Sequence, residues 1–177
     1  MRRLALTAAI VALALAGCDQ REAAELPPPV VMTQDAIGHY CRMNLLEHPG
    51  PKGQIIVKSL IEPVWFSSAR DAIAFTMLPD EPKDIRAIYV SDMGKALSWD
   101  KPGADNWIEA RKALFVIGSR VKGGMGSEEA VPFSDHAAAE AFVSKNGGRI
   151  VSFAEVPREY VLGSGEQTTT AGGGPTD

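Results

Sequence analysis

Phe66-Ser67-Ser68-Ala69-Arg70-Asp71-Ala72-Ile73-Ala74-Phe75 recurs 67 positions later as Phe133-Ser134-Asp135-His136-Ala137-Ala138-Ala139-Glu140-Ala141-Phe142. Phe, Ser, Ala, Ala and Phe coincide. Each copy reads as the end of a strand, a helix N-cap and an Ala-rich helix, with Ser67 or Ser68 able to cap the first and Ser134 or Asp135 the second. A β-type run precedes each helix: Gln54 to Leu60, and Ala113 to Ser119. Another follows it: Ile85 to Val90, and Gly148 to Phe153. These runs are rich in β-branched and aromatic residues and bounded by turn formers. The chain is therefore expected to be a tandem duplication of a ββαβ-like unit, an α+β fold with helices on mainly antiparallel sheet.

The copies differ in the connection before the helix. Ile56 to Phe66 spans 10 positions, whereas Val116 to Phe133 spans 17. The longer stretch holds Val121-Lys122-Gly123-Gly124-Met125-Gly126-Ser127. A methionine among glycines is poorly placed in a helix or strand interior. The glycines let the backbone turn sharply and carry Met125 up to another part of the molecule.

Outside the repeats the chain changes character. Met1-Arg2-Arg3 is followed by an apolar run from Leu4 to Ala16, the length of a signal-peptide core and too short to span a bilayer. It ends in Leu15-Ala16-Gly17-Cys18, which resembles a bacterial lipobox and implies that Cys18 is acylated and becomes the N-terminus. Asp19 resembles an inner-membrane retention signal. The expected layout is a signal peptide over 1–17, a lipidated, proline-stiffened tether over 18–34, repeats over 35–100 and 101–162, and a disordered Gly/Thr tail over 163–177. Removal of Arg2 and Arg3 takes the formal charge from −4 to −6. An acidic chain without a Lys/Arg cluster argues against nucleic acid as a partner.

Two cysteines are present. With Cys18 given to lipid, Cys41 is an unpaired thiol in an oxidising compartment, either reactive or ligating, or else buried as a small hydrophobe. It lies in Tyr40-Cys41-Arg42-Met43-Asn44-Leu45-Leu46-Glu47-His48-Pro49-Gly50-Pro51. In extended backbone Cys41 and Met43 leave the same face. Cys41, Met43, His48 and Met125 form a soft, low-coordination S/N donor set that suits Cu(I) better than a four-ligand zinc site or a blue-copper site. Met93 is a further candidate contact, and Glu47 reads either as a group that orients His48 or as a solvated acid. His39, two before Cys41, reads mainly as a surface residue, as does His136. Met77 reads as core, Met32 as tether, and Trp65, Trp99 and Trp107 as core or lobe interface. No GxSxG, HExxH or phosphate-loop pattern occurs.

The lipobox, Tyr40-Cys41-Arg42-Met43 with Glu47-His48-Pro49-Gly50-Pro51-Lys52, Ile85 to Asp92, Gly118-Ser119, Met125-Gly126, Pro132-Phe133 and Gly147-Gly148 together resemble the NosL family of lipoprotein copper chaperones. Between Cys and Met that family often has Gly where this chain has Arg42. The resemblance implies the organomercurial-lyase-like tandem ββαβ topology. It also implies Cu(I) held at the periplasmic face of the inner membrane and passed to nitrous oxide reductase, with an accessory ABC-type membrane complex as docking partner. It places Cys41 and Met43 first among the ligands, then Met125 and His48, leaving open which of these two completes the set. A copper-shared homodimer is a further expectation. The alternatives are a thiol-dependent enzyme, either organometal lyase-like or redox, and a metal-free interaction lipoprotein. An enzyme of either kind would need a second thiol, which this chain lacks once Cys18 is acylated.

Overall fold

The computed structural model describes residues 25–163; the expected signal peptide, Cys18, Asp19 and the residues beyond Gly163 lie outside the described residues. In the first repeat β1 (Gly53–Val57) and β2 (Val64–Phe66) precede α1 (Ala69–Met77) and β3 (Ile85–Ser91). A short β4 (Trp107–Glu109) follows. In the second, β5 (Leu114–Ile117) and β6 (Val131–Phe133) precede α2 (His136–Asn146) and β7 (Arg149–Ser152). A one-turn α3 (Arg158–Leu162) ends the domain. Strand order is β2-β1-β3-β4 in one sheet and β6-β5-β7 in the other, and every pairing is antiparallel. The fold is α+β, as the duplicated sequence predicts. β4 falls within the stretch expected to form the second repeat, yet it extends the first sheet.

The two units share a register. Gly53 faces Phe66 and Leu114 faces Phe133. Those partners lie 13 and 19 positions apart, so the second connection carries six additional residues. Of the four candidate caps, Ser68 accepts from Asp71 N and Asp135 from Ala138 N, and these are equivalent positions of the repeat. Each satisfies a backbone donor that the first helical turn leaves free.

One large apolar cluster is drawn from both units. Ile55, Phe66, Ile73, Phe75, Ile88 and Val90 of the first pack with Phe115, Ile117, Val151, Val156 and Val161 of the second. α1 lies close over β1: a Cβ on Gly53 would come within 2.5 Å of Ala72 Cβ, so only glycine fits there. α2 buries Ala139 alone and covers the smaller cluster of Val116, Val131 and Phe133.

The opposite face of the first sheet is covered by the N-terminal segment. Gln54, fully buried, pairs through its amide with both Val30 N and Val30 O at 2.8 Å. Tyr89 donates to Pro27 O at 2.6 Å, and Met32 N donates to Ala104 O at 2.8 Å. A side-chain amide thus supplies the partners a neighbouring strand would otherwise give. Met32, read from sequence as tether, is buried with Ala36 and Leu45 against Trp65 and Trp107. From Pro27 onward the expected spacer is a strap bound to the domain.

Two acidic side chains join the units reciprocally. Asp92, just after β3, accepts Ser134 N at 3.1 Å and bonds Ser134 Oγ at the start of α2. Glu129, just before β6, accepts Ser68 Oγ at 3.1 Å and Arg70 N at 2.9 Å at the start of α1. Negative charge at a helix N-terminus is favourable; Asp92 supplies it at the start of α2, and Glu129 brings an accepting oxygen to the start of α1. Burial pulls Asp92's carboxyl upward, but its bonds from Ser134, Lys95 and Gly94 outweigh that and hold it below the ordinary value. Glu129 is wholly enclosed, and burial pushes its carboxyl from 4.5 up to about 7.

The folded chain therefore retains a proton on Glu129 between about pH 4.5 and 7, where the unfolded chain has released it. Its contribution is most favourable at the acid end and declines as pH rises through that window. Glu129→Gln keeps the accepting oxygen. Relative to the variant, the parent should lose about 3 kcal/mol of unfolding free energy between those pH values in urea titrations.

Candidate metal centre

Cys41 lies on a closed loop, not on the extended strand that the Cys-x-Met spacing suggested. Gly38 N donates to Met43 O and Arg42 N to Gly38 O, both at 2.9 Å. Ile37 and Asn44 bridge antiparallel below them. The turn passes through Arg42, which has φ +58° and is the one non-glycine residue with positive φ among the described residues. That region favours glycine, so Arg42 holds a strained backbone between the two sulfur-bearing residues. Gly38 lies directly beneath Cys41: a Cβ there would come within 2.4 Å of Sγ. The thiol is free and half-buried, 3.9 Å from Met43 O, and the Met43 side chain is 42 % exposed.

The loop is anchored to β2 and to the segment after α1. His39 N donates to Trp65 O at 2.7 Å, covering the edge of β2. The His39 ring stands edge-on to Tyr40, Phe66 and Phe75, with centroids 4.8, 5.9 and 5.5 Å away. Its Nε2 lies 3.3 Å from Glu81 Oε1, and Tyr40 donates to the same oxygen at 3.0 Å. Burial first, and Glu81 next, push the Tyr40 phenol pKa upward. His39 thus anchors the loop while its side chain stays 35 % exposed at the surface.

A single 3-10 turn, Leu45–Glu47, leads from the loop to His48. His48 is buried, and its Nε2 has no hydrogen-bond partner. A sequestered ring nitrogen without a partner is costly unless an ion or ligand completes it. Glu47 is exposed on the turn. The Pro-Gly-Pro segment that follows is held from inside by Lys52, which is 1 % exposed. Its Nζ donates to His48 O and Gly50 O at 2.7 Å and to Pro49 O at 3.3 Å. Three carbonyls match the three donors of an ammonium. Burial pushes Lys52 down to about 8, and the charges of Glu129 and Cys41 pull against that shift. Gly50, at φ +85°, lies under the Trp99 ring, where a Cβ would come within 2.9 Å.

The long connection of the second repeat reaches this segment. Gly126 N donates to Gly123 O and Gly123 N to Ser127 O, both at 2.9 Å, closing a turn with Met125 at its tip, 54 % exposed. A Cβ on Gly124 would lie 2.7 Å from His48 Cβ and 2.8 Å from Pro49 O; one on Gly123 would lie 2.8 Å from Glu129 Oε2. The glycines therefore serve close approach, as the sequence suggested, and they bring the Met125 turn against His48. Met93 goes elsewhere: it lines a cleft with Trp99, Phe133 and Phe142 that includes none of Cys41, Met43, His48 or Met125. His136 pairs with Glu140 on the surface at 3.5 Å. Sequence reasoning passed over Glu81 and Lys52 as functional supports. Lys52 was signalled by its place directly after Pro-Gly-Pro; nothing in the local sequence around Glu81 marks it.

The NosL family model matches residues 29–161. Over 161 residues the chain is 47 % identical to the copper-binding lipoprotein NosL of Achromobacter cycloclastes, covering 90 % of this chain and 83 % of that protein. It is 32 % identical over 152 residues to the copper-binding lipoprotein NosL of Stutzerimonas stutzeri, covering 85 % and 78 %. The crystal structure of the copper chaperone NosL from Shewanella denitrificans superposes with a TM-score of 0.68 at 36 % identity, covering 75 % of this chain and 98 % of that one.

The strained position gives a direct stability test. Arg42→Gly should raise unfolding free energy in urea by about 0.5–1 kcal/mol, and Arg42→Val, β-branched at the same positive φ, should lower it by about 1–2 kcal/mol.

Proposed function

We propose that this chain, which belongs to the NosL family, is a membrane-anchored carrier that binds monovalent copper and hands it on for assembly of the copper centres of nitrous oxide reductase. The observation that carries the reading is the Cys41 loop: a free, half-buried thiol beside an exposed thioether, on backbone closed by its own hydrogen bonds. Thiolate and thioether are soft donors that select Cu(I) over hard cations. Cys41 and Met43 are the primary ligands, and His48 and Met125 are placed to complete the set. The orphaned Nε2 of His48 fits a ligand role.

The chemistry is transfer, not turnover. A site of few donors leaves room for an acceptor's ligand to add before a carrier's ligand departs. The thiol must lose its proton to bind, so affinity falls as pH drops. One free thiol gives no resolving partner for redox catalysis. Acylation of Cys18 would hold the domain at the periplasmic face of the inner membrane. There the copper would meet an accessory ABC-type complex, and a second copy of the chain could share Cys41 through the metal.

Anaerobic competition titration of the full chain in detergent with a Cu(I) chelator tests the reading. Cys41→Ser should weaken binding at least about 100-fold and Met43→Ala about tenfold, each 1.4 kcal/mol being a factor of ten. X-ray absorption of the loaded protein should count at least one copper–sulfur contact. A Cys41→Ser chain that binds as tightly as the parent overturns the proposal.

A further inference from the structure

A loop with strained backbone persists only where its surroundings fix it. Around Cys41 most of those fixings are backbone to backbone: Gly38 N to Met43 O, Arg42 N to Gly38 O and His39 N to Trp65 O. The outlier is Glu81. It lies in the connection between α1 and β3, outside the loop, and a single oxygen takes His39 Nε2 at 3.3 Å and the Tyr40 hydroxyl at 3.0 Å. Those are the two residues immediately before Cys41. The Glu81 side chain is 17 % exposed against 35 % for His39 and 41 % for Tyr40, so the carboxylate end of these bonds is shielded while the donor ends meet water.

The support is itself stiff. Pro79 and Pro82 bracket Glu81 and fix φ on either side. Lys83 Nζ bonds Leu78 O across the same connection. Asp84 accepts Ser59 N at 2.8 Å and ties that segment to the β1–β2 hairpin. The His39 ring is held edge-on by Phe66 of β2 and Phe75 of α1. Movement of Glu81 would remove the hydrogen-bond partner that the His39 and Tyr40 side chains share, leaving the turn through Arg42 with its backbone bonds and the ring packing on Phe66 and Phe75.

We propose that Glu81 is the positioning residue of this centre, fixing His39 and Tyr40 so that Cys41 and Met43 are presented together before the metal arrives. The inference rests on the copper reading above and deepens it. A preformed donor pair loses less conformational freedom on binding than a mobile one. Without Glu81 the same donors bind, but with lower affinity and faster loss.

The test compares the full chain in detergent with Glu81→Ala, Glu81→Gln and Asp84→Ala. Glu81→Ala should weaken Cu(I) binding about tenfold and speed transfer to a chelator by a similar factor. Its X-ray absorption should retain the sulfur count with a broader spread of copper–sulfur distances. Glu81→Gln keeps an accepting oxygen and should restore affinity to within about twofold of the parent. Asp84→Ala, which loosens the neighbouring hairpin, should lower thermal stability and leave affinity unchanged. If Glu81→Ala does not fold, the double variant His39→Phe, Tyr40→Phe removes both donors while keeping the rings, and should show the same tenfold loss. Unchanged affinity and transfer rate in Glu81→Ala or in the double variant, or equal losses in Asp84→Ala and Glu81→Ala, overturn the inference. A parent chain that binds no copper through Cys41 overturns the functional reading instead, and the Cys41→Ser titration separates the two.

Discussion

The two repeats are joined by a pair of acidic side chains, each bonded to the start of the other's helix beside its N-cap. Asp92 bonds the start of α2 from the first unit, and Glu129 bonds the start of α1 from the second. Apolar packing between the units is non-directional and would tolerate some sliding. These bonds are directional, and each joins a buried acidic side chain to the backbone at a helix start: Ser134 N precedes the N-cap of α2, and Arg70 N lies in the first turn of α1. They also place the candidate centre. Glu129 touches the Gly123–Gly124 turn through Gly123, and Gly124 touches His48, so the position of Met125 follows from how the helix caps are set. The Met125 turn meets the His48 segment along a seam between the repeats, with Glu129 lying against that turn.

Much of this architecture was legible in the sequence because duplication repeats its own evidence. Phe66 and Phe133 mark matching strand ends, and Ser68 and Asp135 are matching caps whose different side chains perform the same task. The lengthened connection and its glycines announced a close approach, which Gly124 makes against His48 while Met125 stays exposed at the tip of the turn. Two features misled. Cys-x-Met reads as one face of a strand, but alternation over three residues carries no information about chain reversal, and the left-handed turn is made by an arginine that gives no sign of it. The three prolines from Pro27 read as a spacer, yet a single buried Gln54 in β1 recruits that segment as a strap. The strap, the Glu81 anchor and the Lys52 cluster all depend on side chains reaching groups in tertiary contact, and periodicity does not record such contacts.

Opposite requirements meet at the Cys41 loop. Under the proposed carrier role donors must be reachable, and the candidate ligands Met43 and Met125 are exposed. They must also be ready, and His48, Lys52, Gly50 and the aromatic cluster under His39 are sequestered. The two thioethers lie at the exposed rim of the molecule, and the Cys41 thiol is half-buried. Methionine suits the rim because its unbranched, polarizable side chain adapts to different geometries.

The strap has a consequence for where such a carrier can work. Because the chain is bound from Pro27 onward, only the eight residues from Asp19 to Leu26 separate the domain body from Cys18. Fully extended they reach about 30 Å. Under the proposed acylation, every encounter would take place in a layer one domain deep beside the bilayer. Confinement to a leash of that length raises the effective concentration of the carrier for acceptors rooted in the same membrane, and it excludes freely diffusing ones that never come near the surface.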